Sequence, residues 1–349
     1  MAKLFEPFTV KDLTLKNRIM MSPMCQYSVW DEDGRPNEWH YVHYISRAVG
    51  GAGLIMMEMT DVAPHGRITV RDLGLWSDEQ IPDFARVIDQ VHAYGAKIGI
   101  QIAHAGRKAE SAGLDPVAPS SIAFSDRYRT PRELSADEIQ SIVGAYGQAA
   151  RRAIAAGADT VEIHGAHGYL VHQFMSPLSN KRVDQYGEYS RFGTEVVEAV
   201  KSELPHGVPL IMRLSATEYH PHGYDFAELE QMAREYRDHG VDMFDVSSGG
   251  NAPVVPPFYP GYQVPYADRL RHALGVPVIA VGMLESPALA ESVVQREQAD
   301  IVAIARGMLR DPYWANTAAQ QLGDGIQVPE EYDRAFAHDF VRKTRGPAS

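Results

Sequence analysis

The chain has 349 residues, 45% of them hydrophobic and 22% charged, with a net charge of −12 at neutral pH. This is the composition of a globular enzyme, and the acidic balance argues against a nucleic acid or an anionic membrane as partner, since either would want a basic face. The single cysteine, Cys25, rules out an intrachain disulfide; no run approaches the roughly 18 apolar residues of a membrane span, and the start MAKLFEPFTVKDL lacks a signal-peptide core, so a soluble cytoplasmic protein is expected.

In chain order, FTVKDLTLKNR reads as a hairpin. Eight short apolar runs follow: RIMMS (18–22), GLIMME (53–58), KIGIQI (97–102), TVEIH (160–164), PLIMRL (209–214), DMFDV (242–246), PVIAV (277–281) and IVAIA (301–305). Near-continuous apolarity is the mark of strands covered on both faces. Between them lie amphipathic stretches. IPDFARVIDQVHAYG (81–95) carries a helical stripe at Phe84, Val87, Ile88 and Val91, and SADEIQSIVGAYGQAARRAIAAG (135–157) opens with Ser135 and Glu138 spaced as a capping box. DFAELEQMAREYRDHG (225–240) is a third. Several units share one template in which a glycine closes a helix and a strand begins at once, as in AYGAKIGI and ALGVPVIA. Eight such repeats, without an early Gly-x-Gly-x-x-Gly turn, favour a (β/α)8 barrel over a doubly wound sheet. No linker divides the chain, so one domain over 1–349 is expected, with the hairpin across the bottom of the barrel and a tail at about 325–349 after the eighth helix. The connections after strands three and four, roughly 103–134 and 165–189, are long enough to carry binding machinery.

A barrel places its chemistry at the carboxyl ends of its strands. Strand one ends in Ser22-Pro23-Met24-Cys25-Gln26-Tyr27; strand three ends at Gln101, followed by His104 and a stretch reaching Lys108; strand four ends at His164. Strand five carries Arg213, strand six runs into Ser247-Ser248-Gly249-Gly250, strand seven into Gly282, and strand eight into Arg306. HGAHGYLVHQF (164–174) concentrates His164, His167, Tyr169 and His172. A catalytic zinc would want a third ligand on a rigid element; here Gly165 and Ala166 separate the first two histidines, and no carboxylate follows before Asp184. No metal is expected. Two imidazoles can instead polarise a carbonyl or nitro oxygen, and a phenol can protonate an enolate-like carbon. That suits addition of hydride and proton across an activated double bond. His172 fits a structural role better. Hydride requires a cofactor. Gly282 permits close approach and Arg306 supplies charge at the usual phosphate end of a barrel, while Gln101 and Arg213 offer polar partners and Met24 an apolar one. On residues alone the ligand is a flavin mononucleotide or a phosphorylated sugar.

LKNRIMMSPMCQYS (15–28), GRITVRDLGLWSDE (66–79), IQIAHAGRKA (100–109), GADTVEIHGAHGYLVHQFMSPLSNKRVDQYG (157–187) and ARGMLRDPYW (305–314) together resemble the old yellow enzyme family, specifically its bacterial thermophilic-like class, over nearly the whole chain. The resemblance implies bound FMN with NADPH (or NADH) as donor, and ping-pong reduction of α,β-unsaturated carbonyl or nitro compounds at one shared site. It implies that Ser22, Pro23, Met24 and Cys25 line the flavin, Cys25 tuning its potential, and that Gln101 and Arg213 bind its ring and sugar chain. Gly282, Arg306 and neighbouring amides would hold its phosphate, and Gly249 belongs to the same cofactor-binding set. His164 and His167 would bind the substrate oxygen, Tyr169 donate the proton, Tyr27 line the pocket, and Lys108 meet the donor or the substrate entrance. Two positions depart from the family: Met59 where a small residue usually lies near the flavin, and Ala305 where glycine commonly precedes the phosphate arginine. Arg334 matches an arginine that reaches into a neighbouring subunit's site, which implies a homodimer or homotetramer. The rival functions are a metal-dependent barrel hydrolase and a flavin-carrying sensor with negligible turnover.

Overall fold

The computed structural model describes residues 2–325 and 328–332. Eight parallel strands close on themselves: β1 (Ile19–Met21), β2 (Leu54–Asp61), β3 (Lys97–Ala103), β4 (Thr160–Gly165), β5 (Leu210–Ser215), β6 (Met243–Ser247), β7 (Val278–Ala280) and β8 (Ile301–Ile304). The ring is completed where β8 returns to β1, Ala303 opposite Met20. One main helix follows each strand: α1 (Glu38–Val49), α2 (Ile81–Ala93), α3 (Ala136–Ala155), α4 (Arg191–Glu203), α5 (Phe226–Asp238), α6 (Val264–Leu274), α7 (Pro287–Gln295) and α8 (Trp314–Gln321). This is the (β/α)8 barrel that the repeats predict. Among the described residues no helix is long and apolar enough to cross a membrane.

The local reasons are those read from the sequence. Phe84, Val87, Ile88 and Val91 on α2 are fully buried. Ser135 caps α3: its Oγ accepts from the Glu138 amide at 3.3 Å, and the Glu138 carboxylate accepts from the Ser135 amide at 2.8 Å. Gly275 closes α6 at φ 66°, a conformation open to glycine at little cost, and its amide bonds back to the Arg271 carbonyl. The hairpin pairs Phe8–Val10 with Leu13–Leu15. Leu13 and Leu15 pack against Met20, Leu54, Ile211 and Ile301 inside the barrel, so the bottom is plugged with apolar side chains.

One strand runs well past its predicted extent. β2 continues past Glu58 to Asp61, with a register shift between Met57 and Thr60. Glu58, Thr60 and Asp61 break the apolar run, yet Thr60 and Asp61 still pair with Ile102 and Ala103 on one side and with Leu73 and Gly74 on the other. The extension carries Glu58 and Met59 up to the mouth. The long connection after β3 holds a helical turn (Gly106–Lys108) and a two-residue ladder between Val117–Ala118 and Arg132–Glu133; the one after β4 opens with a short helix, Leu170–Met175. Arg334 lies outside the described residues.

Candidate active site

The turn after β4 gathers three of the expected side chains. The rings of His164 and His167 are 5.2 Å apart and nearly perpendicular, and the Tyr169 ring lies 5.0 Å from His164. His167 adopts φ 58° and Gly168 φ 74°. His172, fully buried, holds this bend: its Nδ1 accepts the Gly168 amide at 3.0 Å, and its Nε2 faces Tyr224 Oη at 2.8 Å. Since Tyr224 donates to the Ser215 carbonyl, the His172 Nε2–H is the donor to Tyr224. Burial, then Arg213, hold both His164 and His167 well below the usual imidazole range. Both rings are therefore neutral at working pH, each with one N–H to give. Ser247 donates to Gln263 Oε1, which leaves its oxygen to accept from His167 Nε2 at 2.7 Å; His164 Nδ1 has no partner. Burial, then Cys25 and Tyr27, push the Tyr169 phenol well above its ordinary value, so it stays protonated.

Opposite this turn stand Cys25 and Met59. Both Cys25 and Tyr169 pack against the cluster formed by Met59, Ile68, Ala103 and Ala105. The bulk at position 59 is thus buried beside the thiol rather than open to solvent. Burial, then Glu58, raise the Cys25 thiol well above its usual value, and Tyr27 hydrogen-bonds to it. Tyr27 itself is half exposed at φ 51°. Lys108 is no solvated surface lysine. Its Nζ donates to the carbonyls of His167 (3.0 Å) and Gly250 (3.3 Å) and lies 5.0 Å over the Tyr169 ring. Burial, then Arg107, bring its ammonium down to about 8.

The floor is polar and only partly satisfied. On adjacent strands Gln101 pairs in register with Glu162, and Arg213 with Asp245. Gln101 Nε2 donates to Glu162 at 2.7 Å, and Arg213 donates to Ser22 Oγ at 3.3 Å. Arg213 Nε approaches Asp245 Oδ2 to 3.0 Å as an ion pair without a hydrogen bond between them; both Asp245 oxygens, and separately Glu162 Oε2, accept no hydrogen bond. Pro23 is buried and Met24 half-buried beside this floor. From it opens a recess of about 160 Å³ lined among others by Arg213, Ser247, Gln263, Gly282, Ala305 and Arg306. Gly282 sits at φ 127°, where a Cβ would press on Gln263 at 3.0 Å. Gly249 does not line the recess; its carbonyl accepts from Ser215 Oγ and its amide bonds to Thr217. Among the described residues no three His, Cys, Asp or Glu side chains gather as a metal site. A glycine-backed recess bearing two arginines, next to unsatisfied polar side chains and an apolar wall, fits a flat heteroaromatic ligand with a phosphorylated tail.

Several residues of the mouth escape the sequence reading. Glu162 and Asp245 are carboxylates inside otherwise apolar strand runs, which is a visible anomaly. Arg107, buried and donating to Asn251 at 2.6 and 2.9 Å, and Gln263, which joins Ser247, Ser248 and Val281, carry no comparable local mark.

Residues 3–325 match the family described as NADH:flavin oxidoreductase / NADH oxidase. An NADPH dehydrogenase of Bacillus pumilus is 49% identical, covering 96% of this chain and 99% of that protein. One from Bacillus subtilis is 48% identical over the same shares of the two chains. Among solved structures, morphinone reductase superposes with a TM-score of 0.78 at 29% identity, covering 94% of this chain and 91% of that one.

The neutral state of the two rings is open to direct test. In ¹⁵N-histidine spectra, His164 and His167, each assigned by its own glutamine variant, should remain neutral at about pH 5.5, a unit below the ordinary imidazole value of about 6.5. An imidazolium signal from either ring at that pH would contradict the electrostatics described above.

Proposed function

The chain belongs to the NADH:flavin oxidoreductase / NADH oxidase family, the old yellow enzymes, and from that premise we propose that it reduces the activated C=C bond of α,β-unsaturated carbonyl or nitro compounds with protonation by Tyr169. It is an FMN oxidoreductase that takes its electrons from a nicotinamide dinucleotide. When bound, FMN would supply the two-electron carrier between the nicotinamide donor and the acceptor. Ser22, Pro23, Met24, Cys25, Met59 and Gln101 would surround its ring system with Arg213, and Gly282, Ala305 and Arg306 would hold its phosphate end. Gly249 would contribute from the rim.

The observation that carries this reading is the packing of His164 between His167 and Tyr169 on a single turn, at ring distances of 5.2 and 5.0 Å. His164 and His167 each donate one N–H to the acceptor's oxygen, His167 exchanging Ser247 for it, and so draw electron density from the β-carbon. Neutral rings polarise the oxygen less than imidazoliums would, and so leave the α-carbon basic enough to take a proton from a phenol. Tyr169 passes its O–H proton to the α-carbon and is reprotonated from solvent. With its phenol raised by burial, it gives up that proton only to a strongly basic centre, which restricts the step to the moment when the α-carbon carries charge. Tyr27 and Lys108 would bound the place where acceptor and donor bind in turn. Cytoplasmic residence belongs to the same proposal.

Replacing Tyr169 with Phe should slow acceptor reduction by about 100- to 10,000-fold while leaving flavin reduction by NADPH nearly intact. Stopped-flow absorbance of the two half-reactions measures this; equal slowing of both would make Tyr169 a packing residue. A homo-oligomer in which Arg334 closes the neighbouring subunit's site is also part of the proposal, on the strength of the sequence pattern alone. Removal of residues 328–349 should then lower the mass seen by light scattering and raise KM for the acceptor. An unchanged mass with unchanged kinetics would refute the shared site.

A further inference from the structure

Glu58 takes no part in the roles assigned above, yet it is buried at the back of the site. Its neighbour on β2, Met59, packs with Cys25 and Tyr169, whereas the Glu58 carboxyl turns the other way, toward α1. There Oε1 accepts the Tyr44 hydroxyl at 2.9 Å and Oε2 accepts the Gln26 amide at 2.6 Å. The Tyr44 oxygen in turn accepts the Glu58 amide at 3.0 Å. His40 accepts the Asn37 amide at Nδ1, so its Nε2 carries the proton and stands 3.5 Å from Oε1. The Gln26 side chain extends the clamp: its Nε2 donates to the Met24 carbonyl at 2.8 Å and its Oε1 accepts from Trp39 at 3.2 Å. The segment carrying Cys25 is thereby tied to β2 and α1 through the residue next to the thiol.

We propose that Glu58 is a positioning residue for the redox site, which fixes the Met24–Tyr27 segment from behind and whose charge is felt at Cys25 and by the flavin beside it. This rests on the reading of Cys25 as a neighbour of the flavin. The groups facing Glu58 are His40 and Tyr44 from α1, Cys25 and the Gln26 amide from the segment it holds, Asp72 from the adjoining turn and Asp61 from β2 itself. Burial drives the carboxyl up to about 8, the Gln26 and Tyr44 hydrogen bonds pull it down, and the charge acting on it is another acid, Asp72. It is consequently neutral at pH 7 and acquires its negative charge as the pH rises through about 8. That charge opposes formation of the Cys25 thiolate and of electron-rich flavin.

The test compares wild type, Glu58→Gln and Cys25→Ser. The glutamine retains an acceptor for the Gln26 amide and cannot ionise. Two readouts are taken from about pH 6.5 to 9.5: the rate at which iodoacetamide alkylates Cys25 in the FMN-free protein, and the visible spectrum and midpoint potential of the FMN-loaded protein. At pH 7 wild type and Glu58→Gln should alkylate alike. At pH 9 the variant should be faster by about threefold or more, the equivalent of half a pKa unit at the thiol. The flavin spectrum and potential of wild type should show a one-proton step near pH 8 that Glu58→Gln lacks, at undiminished FMN content. Glu58→Gln matching wild type at every pH in both readouts would overturn the proposal. Should that variant fail to fold, Tyr44→Phe serves instead: it removes a donor to the carboxylate, so the step should move to higher pH, and a step that stays in place would overturn the proposal equally. If Cys25→Ser leaves spectrum and potential unchanged, the placement of Cys25 beside the flavin is wrong, and the alkylation rates alone then decide whether Glu58 acts on the thiol.

Discussion

The turn between β4 and the helix at Leu170–Met175 brings two imidazoles and a phenol together, and its backbone runs left-handed at His167 and Gly168 as it does so. For a non-glycine residue that conformation costs about 1–3 kcal/mol. The surroundings answer with hydrogen bonds worth roughly 0.5–1.5 kcal/mol each. Ser215 Oγ takes the His167 amide, Lys108 meets the His167 carbonyl, His172 takes the Gly168 amide and Gln173 donates to the Gly168 carbonyl. Gly168 admits no side chain, because a Cβ there would come within 2.4 Å of the Gly250 carbonyl. The loops after β3, β4 and β6 thus meet at one bend, which is why residues as distant in sequence as Lys108 and Gly250 bear on it.

The mouth is governed by burial more than by charge pairing. Glu162 and Asp245 face a single Arg213, and Glu58 faces only neutral donors and other acids. Desolvation raises all three carboxyls, the usual response of an acid that cannot find a full counter-ion in a low-dielectric interior. The same desolvation lowers the histidines and raises the phenol, so the site presents neutral donors and a reluctant acid. Such a set is poised for a ligand that brings its own polar edge. Although the chain carries a net charge of −12, Arg213 and Arg306 both line the recess.

The parts of this molecule that rest on local periodicity were legible in the sequence. The α2 stripe, the Ser135 cap, the Gly275 turn and the eight strand runs each declare themselves within a few residues. His164, His167 and Tyr169 were legible too, because they share one turn at a strand's carboxyl end. What could not be read is set by pairs far apart in the chain. Glu58 meets Tyr44 across 14 residues and Arg107 meets Asn251 across 144, and no spacing rule marks either pair. The end of β2 is hidden for a related reason: a run that turns polar at Glu58 looks finished, whereas its backbone stays in the ladder as far as Asp61. Lys108 is placed at the site entrance by resemblance alone, and its partners, the carbonyls of His167 and Gly250, lie too far along the chain to be read.

At the centre of the proposed chemistry stands the pair of imidazoles that would grip an acceptor's oxygen. Titration of the oxidised, FMN-loaded protein with para-hydroxybenzaldehyde examines that grip without turnover, since a phenolate oxygen can accept the two N–H groups while its ring stacks on the flavin. Wild type should develop a long-wavelength charge-transfer band. In His164→Ala the band should vanish and affinity should fall by roughly 10- to 100-fold, as expected for loss of a hydrogen bond to a charged oxygen worth about 1.5–3 kcal/mol. A band of unchanged position and affinity in that variant would contradict the role given to His164 and, with it, the orientation of the acceptor on which the chemistry depends.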